Sequence, residues 1–205
     1  MDSPPNRNHE QETGNGKGRR SSMRRGILAF GLAAFLGITG SDLMQNAGGA
    51  TMHLYLVRHG EALDEGQDPQ RPLSDKGKKE AEKTARHLES FSIKPDRIFH
   101  SPKLRAAQTA AILERTLHPV HGAEAAVGLL PNDPPKAWRK RLKEMDGSVF
   151  IVGHMPFLAR LASLLLSDDA EKIQLGMATG GVICLSRDKK GNWSLQWMIA
   201  PGQIK

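Results

Sequence analysis

Residues 52–205 predict an α/β domain, and three observations carry that prediction. Short apolar runs alternate with amphipathic stretches and turn residues from Met52 onward. The runs at 53–57 and 149–153 are apolar on most positions, as in strands buried on both faces of a sheet. Helix signals lie between them: Ser74 stands before Ala81, Ala85, Leu88 and Phe91 at helical spacing, and Pro102 directly follows Ser101.

In order along the chain, residues 53–57 predict a first, interior strand. Ser74 predicts the N-cap of a helix to about residue 91. A short strand follows at 97–100. Ser101-Pro102 then reads as an N-cap with proline at the first helical position, opening a helix to about residue 117. A weaker helix over 133–145 is started by Pro134-Pro135. The strand at 149–153 precedes a Leu- and Ala-rich helix over 156–166. Strands at 181–186 and 193–199 close the domain around a turn at 188–192. No internal repeat and no second folded domain are expected.

Composition narrows the function classes. A single cysteine, Cys184, excludes an internal disulfide framework, and no zinc-type Cys/His spacing implies a metal centre or other cofactor. Six of the 29 Lys/Arg and four of the 22 Asp/Glu lie in residues 1–51, so 23 bases face 18 acids on residues 52–205. A basic surplus on a compact domain fits an anionic substrate or an acidic partner. The domain has no Arg/Lys run with interleaved aromatics, which argues against nucleic acid.

Residues 1–22 are Pro, Asn, Gly, Ser and charge, a composition that predicts disorder. Arg24 and Arg25 introduce the apolar stretch 26–38, shorter than the ~20 residues a membrane span needs. With Gly48-Gly49-Ala50 it resembles a secretory signal, although Asp42, Gln45 and Asn46 separate the two parts. Met52 opens directly onto the first strand, so residues 1–51 also read as a dispensable leader or an over-extended start. An interfacial anchor is the third reading. The expected address is the cytoplasm, or outside the cell if residues 24–50 direct export.

The chemistry concentrates after three strands. The first ends in Arg58-His59-Gly60-Glu61, the second in Ser101-Pro102-Lys103-Leu104-Arg105, the third in Gly153-His154-Met155-Pro156. Ligands of open α/β sheets bind beyond the carboxyl ends of the strands, so two histidines and two arginines should meet at one rim. Two guanidiniums offer forked donors to phosphate, and the start of the Ser101-capped helix adds a positive dipole end, with Arg105 in its second turn. One imidazole can attack phosphorus while the other donates to a non-bridging oxygen. Gly60 is expected to let the phosphate approach the backbone closely.

Leu56-Val57-Arg58-His59-Gly60-Glu61 is similar to the signature of the histidine phosphatase, or phosphoglycerate mutase-like, superfamily. Within it the chain looks like the small SixA-type phosphohistidine phosphatases. The resemblance continues through Arg71-Pro72-Leu73-Ser74 with Gly77, Ser101-Pro102, Arg105-Ala106 with Gln108-Thr109, Val152-Gly153-His154, Trp197 and Pro201. It implies a three-layer α/β/α sandwich with a mostly parallel central sheet. It also implies His59 as a nucleophile that becomes phosphorylated, with Arg58, Arg105 and His154 completing the phosphate pocket and Arg71 at its mouth.

Larger members carry a glutamate proton donor after a mid-chain Leu-containing segment. The comparable stretch here, Leu129-Leu130-Pro131-Asn132-Asp133, has none, which leaves Asp68, Glu61 and Asp133 as candidate acids, Asp68 first. An ester leaving group needs that proton, worth roughly 10²–10⁴-fold in rate, whereas a protonated phosphoimidazole leaves more readily. The expected substrate is therefore a phosphohistidine on a signalling or phosphotransfer protein, such as a histidine phosphotransfer domain, met by a monomer. A small phosphate ester and a non-catalytic phosphate-recognising module are the alternatives. His53, His87, His100, His118 and His121 belong to no constellation, Cys184 reads as a small core residue, and Trp138, Trp193 and Trp197 as packing.

Overall fold

The computed structural model describes residues 50–205. Six strands form one sheet: β1 Ala50–Arg58, β2 Arg97–His100, β3 Ala123–Ala125, β4 Gly147–Gly153, β5 Val182–Asp188 and β6 Trp193–Ile199. Their order is β3-β2-β4-β1-β5-β6. The first four in that order run parallel, and β5 and β6 close one side as an antiparallel hairpin. Four helices lie among the described residues: α1 Asp75–Ser90, α2 Leu104–Leu117, α3 Lys136–Lys143 and α4 Phe157–Ser167. None of them is long and apolar enough to cross a membrane.

The side-chain alternation of β1 explains the layering. Leu54 and Leu56 point to one face, where they meet Trp138 and Leu142 of α3 and Phe157, Leu161 and Leu165 of α4. Tyr55 and Val57 point to the other, against Ala81, Ala85 and Leu88 of α1 and Ala106, Ala110 and Leu113 of α2. Both faces are therefore covered, and the sheet is the middle of three layers. Leu56 is fully buried, so Leu56→Ala should cost about 2–5 kcal/mol through lost transfer energy and the cavity left behind.

The expected elements form, with three differences. Ser74 caps α1, its hydroxyl accepting from Gly77 N–H. Ser101 does not cap α2: that helix begins at Leu104, after Lys103, with no side-chain cap. Ser101 instead prolongs β2, its N–H donating to the Val152 carbonyl at 3.0 Å, and its hydroxyl turns elsewhere. The helix expected over 133–145 is shorter, because Asp133 is held in a turn by accepting from Leu130 N–H. Strand β3 is additional; its Ala-Glu-Ala sequence carries no apolar run to announce it. The expected leader, signal or anchor over residues 1–51 falls almost wholly outside the described residues.

Candidate active site

Strands β2, β4 and β1 are immediate neighbours, so three segments far apart in sequence end side by side. His59 N–H donates to the Gly153 carbonyl at 3.0 Å, continuing the β1–β4 ladder past the strand end. On the other side Gly180 N–H reaches the carbonyls of Arg58 and His59, both at 3.1 Å. The backbone under these two residues is thus clamped from both flanks before any side chain is considered. Gly180 makes that turn with φ +69, where a side chain would be strained.

Four of the expected side chains converge on this floor. Arg105 Nε donates to His59 Nε2 at 3.3 Å. The rings of His59 and His154 lie with centroids 4.9 Å apart. Arg58 is anchored by Nη1 donating to the Met177 carbonyl at 2.5 Å. Arg58 Nε and His154 Nδ1 are buried without a hydrogen-bond partner among the described residues. Buried nitrogens are rarely left unpaired, so both retain the capacity to bond a further acceptor. Arg105 stands in the first turn of α2, one turn earlier than expected, because the helix starts three residues after Ser101.

The electrostatics keep both imidazoles neutral. Burial, the largest cause, pulls His59 down to about 4, helped by Arg105, Arg58 and Arg71 and opposed by the Gly60 carbonyl. Burial, then His59, Arg105, Lys103 and Arg58, pulls His154 down to about 3. His59 Nδ1 lies 2.7 Å from the Gly60 carbonyl, which can only accept. That contact puts the ring proton on Nδ1 and leaves a lone pair on Nε2, the nitrogen facing Arg105.

Arg71 stands beside the cluster rather than in it. Its guanidinium lowers His59 and Arg105, its Nε donates to the Leu63 carbonyl at 3.3 Å, and its backbone has φ 49. With Glu65, Lys103, Leu104 and Arg105 it lines a cavity of about 370 Å³. The three candidate acids face other tasks. Asp68 accepts from Gln70 N–H at 2.8 Å, Glu61 bonds Ser74 and Lys76, and Asp133 holds Leu130. Lys76 first, then Ser74, holds the Glu61 carboxyl below its usual range.

Comparison with known proteins agrees with this geometry. The family described as the histidine phosphatase superfamily (branch 1) matches residues 54–125. An uncharacterized protein of Picosynechococcus sp. is 35% identical over 124 residues, covering 56% of this chain and 73% of that protein. The chain belongs to the histidine phosphatase superfamily. Phosphohistidine phosphatase SixA of Escherichia coli is 28% identical over 159 residues, covering 75% of this chain and 97% of that protein. A solved structure of the protein histidine phosphatase SixA complexed with tungstate superposes with a TM-score of 0.68 at 27% identity, covering 75% of this chain and all of that one.

In this histidine phosphatase the fold brings in several groups that the sequence alone does not announce. Ser101 Oγ lies 2.8 Å from His154 Nε2. Thr109 joins two motifs, accepting from Gly60 N–H at 3.1 Å and donating to the Arg105 carbonyl at 2.8 Å. The Ser101 hydroxyl was legible only as a cap, and the Met177 carbonyl carries no sequence signal. Gly60 has a packing purpose that sequence alone does not announce. A Cβ there would stand 2.7 Å from the Gly77 carbonyl oxygen, so the glycine lets the loop that carries His59 lie on α1.

Proposed function

We propose that this domain is a phosphatase that takes a phosphoryl group from a phosphohistidine on another protein onto His59 and then passes it to water. The observation that carries the proposal is the His59 ring, with Nδ1 tied to the Gly60 carbonyl and Nε2 facing Arg105 beside two buried, unpaired nitrogens. In the first step the Nε2 lone pair attacks phosphorus. The P–N bond to the carrier breaks, and its electron pair returns to a carrier imidazole already protonated on its other nitrogen. In the second step water attacks, the P–Nε2 bond breaks, and both water hydrogens leave on dihydrogen phosphate. The Gly60 contact serves both steps. It leaves Nε2 unprotonated, so the ring can attack once Arg105 turns its hydrogen bond from Nε2 to the phosphoryl oxygens, and it keeps phospho-His59 protonated on Nδ1, hence a good leaving group. Arg58, Arg105 and His154 hold the phosphoryl oxygens; positioning and charge stabilisation are most of what such a transfer requires.

Phosphohistidine is the substrate class these features favour. Neither Glu61, Asp68 nor Asp133 hydrogen-bonds to the cluster, which suits a leaving group that needs little proton donation. The mouth, lined by Arg71, Lys103 and Leu104, suits an anionic protein surface, with Arg71 toward the carrier. The domain acts as a monomer, in the cytoplasm unless residues 24–50 direct export, with residues 26–38 its only membrane contact if retained.

Glu65 at the same mouth supports a second reading, a phosphatase of small phosphate esters in which that carboxyl donates the proton. One panel separates them: a phosphorylated histidine phosphotransfer domain, a phosphoserine peptide and sugar phosphates, each with wild type, His59→Ala and Glu65→Gln. The first reading expects phosphohistidine turnover far above the others, lost in His59→Ala and kept in Glu65→Gln. A fall of roughly 10²–10⁴-fold on esters in Glu65→Gln, with esters the better substrates, supports the second. Turnover surviving in His59→Ala refutes the nucleophile, and no turnover in wild type would leave only a binding module.

A further inference from the structure

The second histidine has a partner that the phosphoryl-transfer reading does not use. Ser101 is completely buried, and His154 retains 2% of its surface. The serine backbone is fixed by its hydrogen bond to Val152, one residue before Gly153-His154 on the neighbouring strand. Its hydroxyl lies 2.8 Å from His154 Nε2. A hydroxyl has one proton to give and lone pairs to accept with. Lys103 N–H points at the same oxygen from 3.5 Å, on the accepting side, which leaves the O–H for the imidazole.

We propose that Ser101 is a positioning residue that fixes His154 as the Nδ1–H tautomer, so that this ring donates a hydrogen bond to the transferring phosphoryl group. If Ser101 donates to Nε2, that nitrogen carries the lone pair and the proton sits on Nδ1, the buried nitrogen with no partner among the described residues. The alternative tautomer would present a lone pair from Nδ1 to an anionic oxygen, which is repulsive. Two neighbouring imidazoles then do opposite jobs in the same neutral state. His59 keeps a lone pair at Nε2 because a carbonyl holds its Nδ1 proton; His154 keeps a proton at Nδ1 because a hydroxyl occupies its Nε2. Burial, His59 and the nearby cations keep His154 neutral, as an accepting Nε2 requires. The donation to phosphate rests on the function proposed above; the tautomer itself does not.

The test is ring ¹⁵N NMR of histidine-labelled full-length protein without ligand, with His154→Gln used to assign the signals. Wild type should show His154 with a protonated Nδ1 and a bare Nε2. Ser101→Ala should lose that preference, and Ser101→Thr, which keeps the hydroxyl, should retain it. In turnover, Ser101→Ala should lower kcat/KM about tenfold, the scale of one hydrogen bond at the reacting group, and Ser101→Thr should recover most of it. A proton on Nε2 in wild type, or an unchanged tautomer in Ser101→Ala, overturns the proposal. The wild-type spectrum decides even if a variant fails to fold. Loss of the nucleophile assignment would show separately, as turnover persisting in His59→Ala.

Discussion

Acidification from pH 7 to pH 5 is the perturbation that most directly examines the neutral imidazoles. His154 stands at about 3 in the folded protein against 6.5 unperturbed, chiefly through burial. Its folded value is depressed, so the unfolded chain binds the extra proton first, and stability falls as pH drops below 6.5 toward 3. Over the interval from pH 7 to 5 this one group should remove about 2 kcal/mol, at 1.36 kcal/mol per unit. For a domain of this size that is a fall in Tm of about 4–8 °C. Carboxylates titrate mostly below that interval, and His154→Gln, which has nothing to protonate, provides the difference measurement. Calorimetry of both proteins at pH 7 and 5 should show the wild type losing more stability than the variant by that margin. Histidine ring NMR over the same range should leave both rings unprotonated at pH 5. Equal losses in the two proteins, or a His59 ring titrating near 6.5, would refute the claim that burial and the surrounding cations hold these rings neutral.

Two further outcomes follow from the packing and the anchor. Gly77→Ala would place its Cβ 2.0 Å from the Glu61 carbonyl oxygen and 2.7 Å from Glu61 N, both backbone atoms, so thermal unfolding should come earlier by roughly 1–3 kcal/mol. Gly66→Ala, with nothing within 4 Å of its Cβ, should leave Tm nearly unchanged and serves as the control. Arg58→Gln removes a charged donor from the cluster and should weaken competitive inhibition by inorganic phosphate by about 10–150-fold, read as an increase in Ki. An unchanged Ki would remove Arg58 from the pocket.

The fold was legible because its buried strands announce themselves from both faces. β1 and β4 are apolar on most positions, and two layers of helices require that. β3 was not legible, since a three-residue Ala-Glu-Ala strand, half-buried at its first residue and exposed at the other two, has no pattern to read. The convergence of His59, Arg58, Arg105 and His154 could be anticipated because strand ends are where such sheets bind ligands. What sequence could not supply was the alternative use of familiar residues. Ser101-Pro102 looks like a helix start, yet the hydroxyl bonds a histidine delivered from a strand more than forty residues later. Gly60 looks like a phosphate contact, yet α1 comes so close that only a glycine fits. Both depend on tertiary neighbours, and local propensity contains no information about them.

The concentration of positive charge at the site has a thermodynamic consequence. Arg58, Arg71, Lys103 and Arg105 take part in no salt bridge among the described residues. Burial first and Arg71 second lower Arg105, and burial followed by the surrounding charges lowers both histidines. A bound tetrahedral anion would offset these charges and satisfy Arg58 Nε and His154 Nδ1 together. Inorganic phosphate at about 100 times its Kd should therefore stabilise the folded protein by about 2.7 kcal/mol, raising Tm by roughly 5–10 °C. Chloride at equal ionic strength should not reproduce the shift, because it lacks the geometry to bridge Arg58, Arg105 and His154. Arg105→Ala should abolish most of the shift while still folding, as its side chain is partly exposed. An equal rise with chloride, or an undiminished rise in Arg105→Ala, would mean that phosphate acts on the surface at large and that Arg58, Arg105 and His154 do not share one ligand.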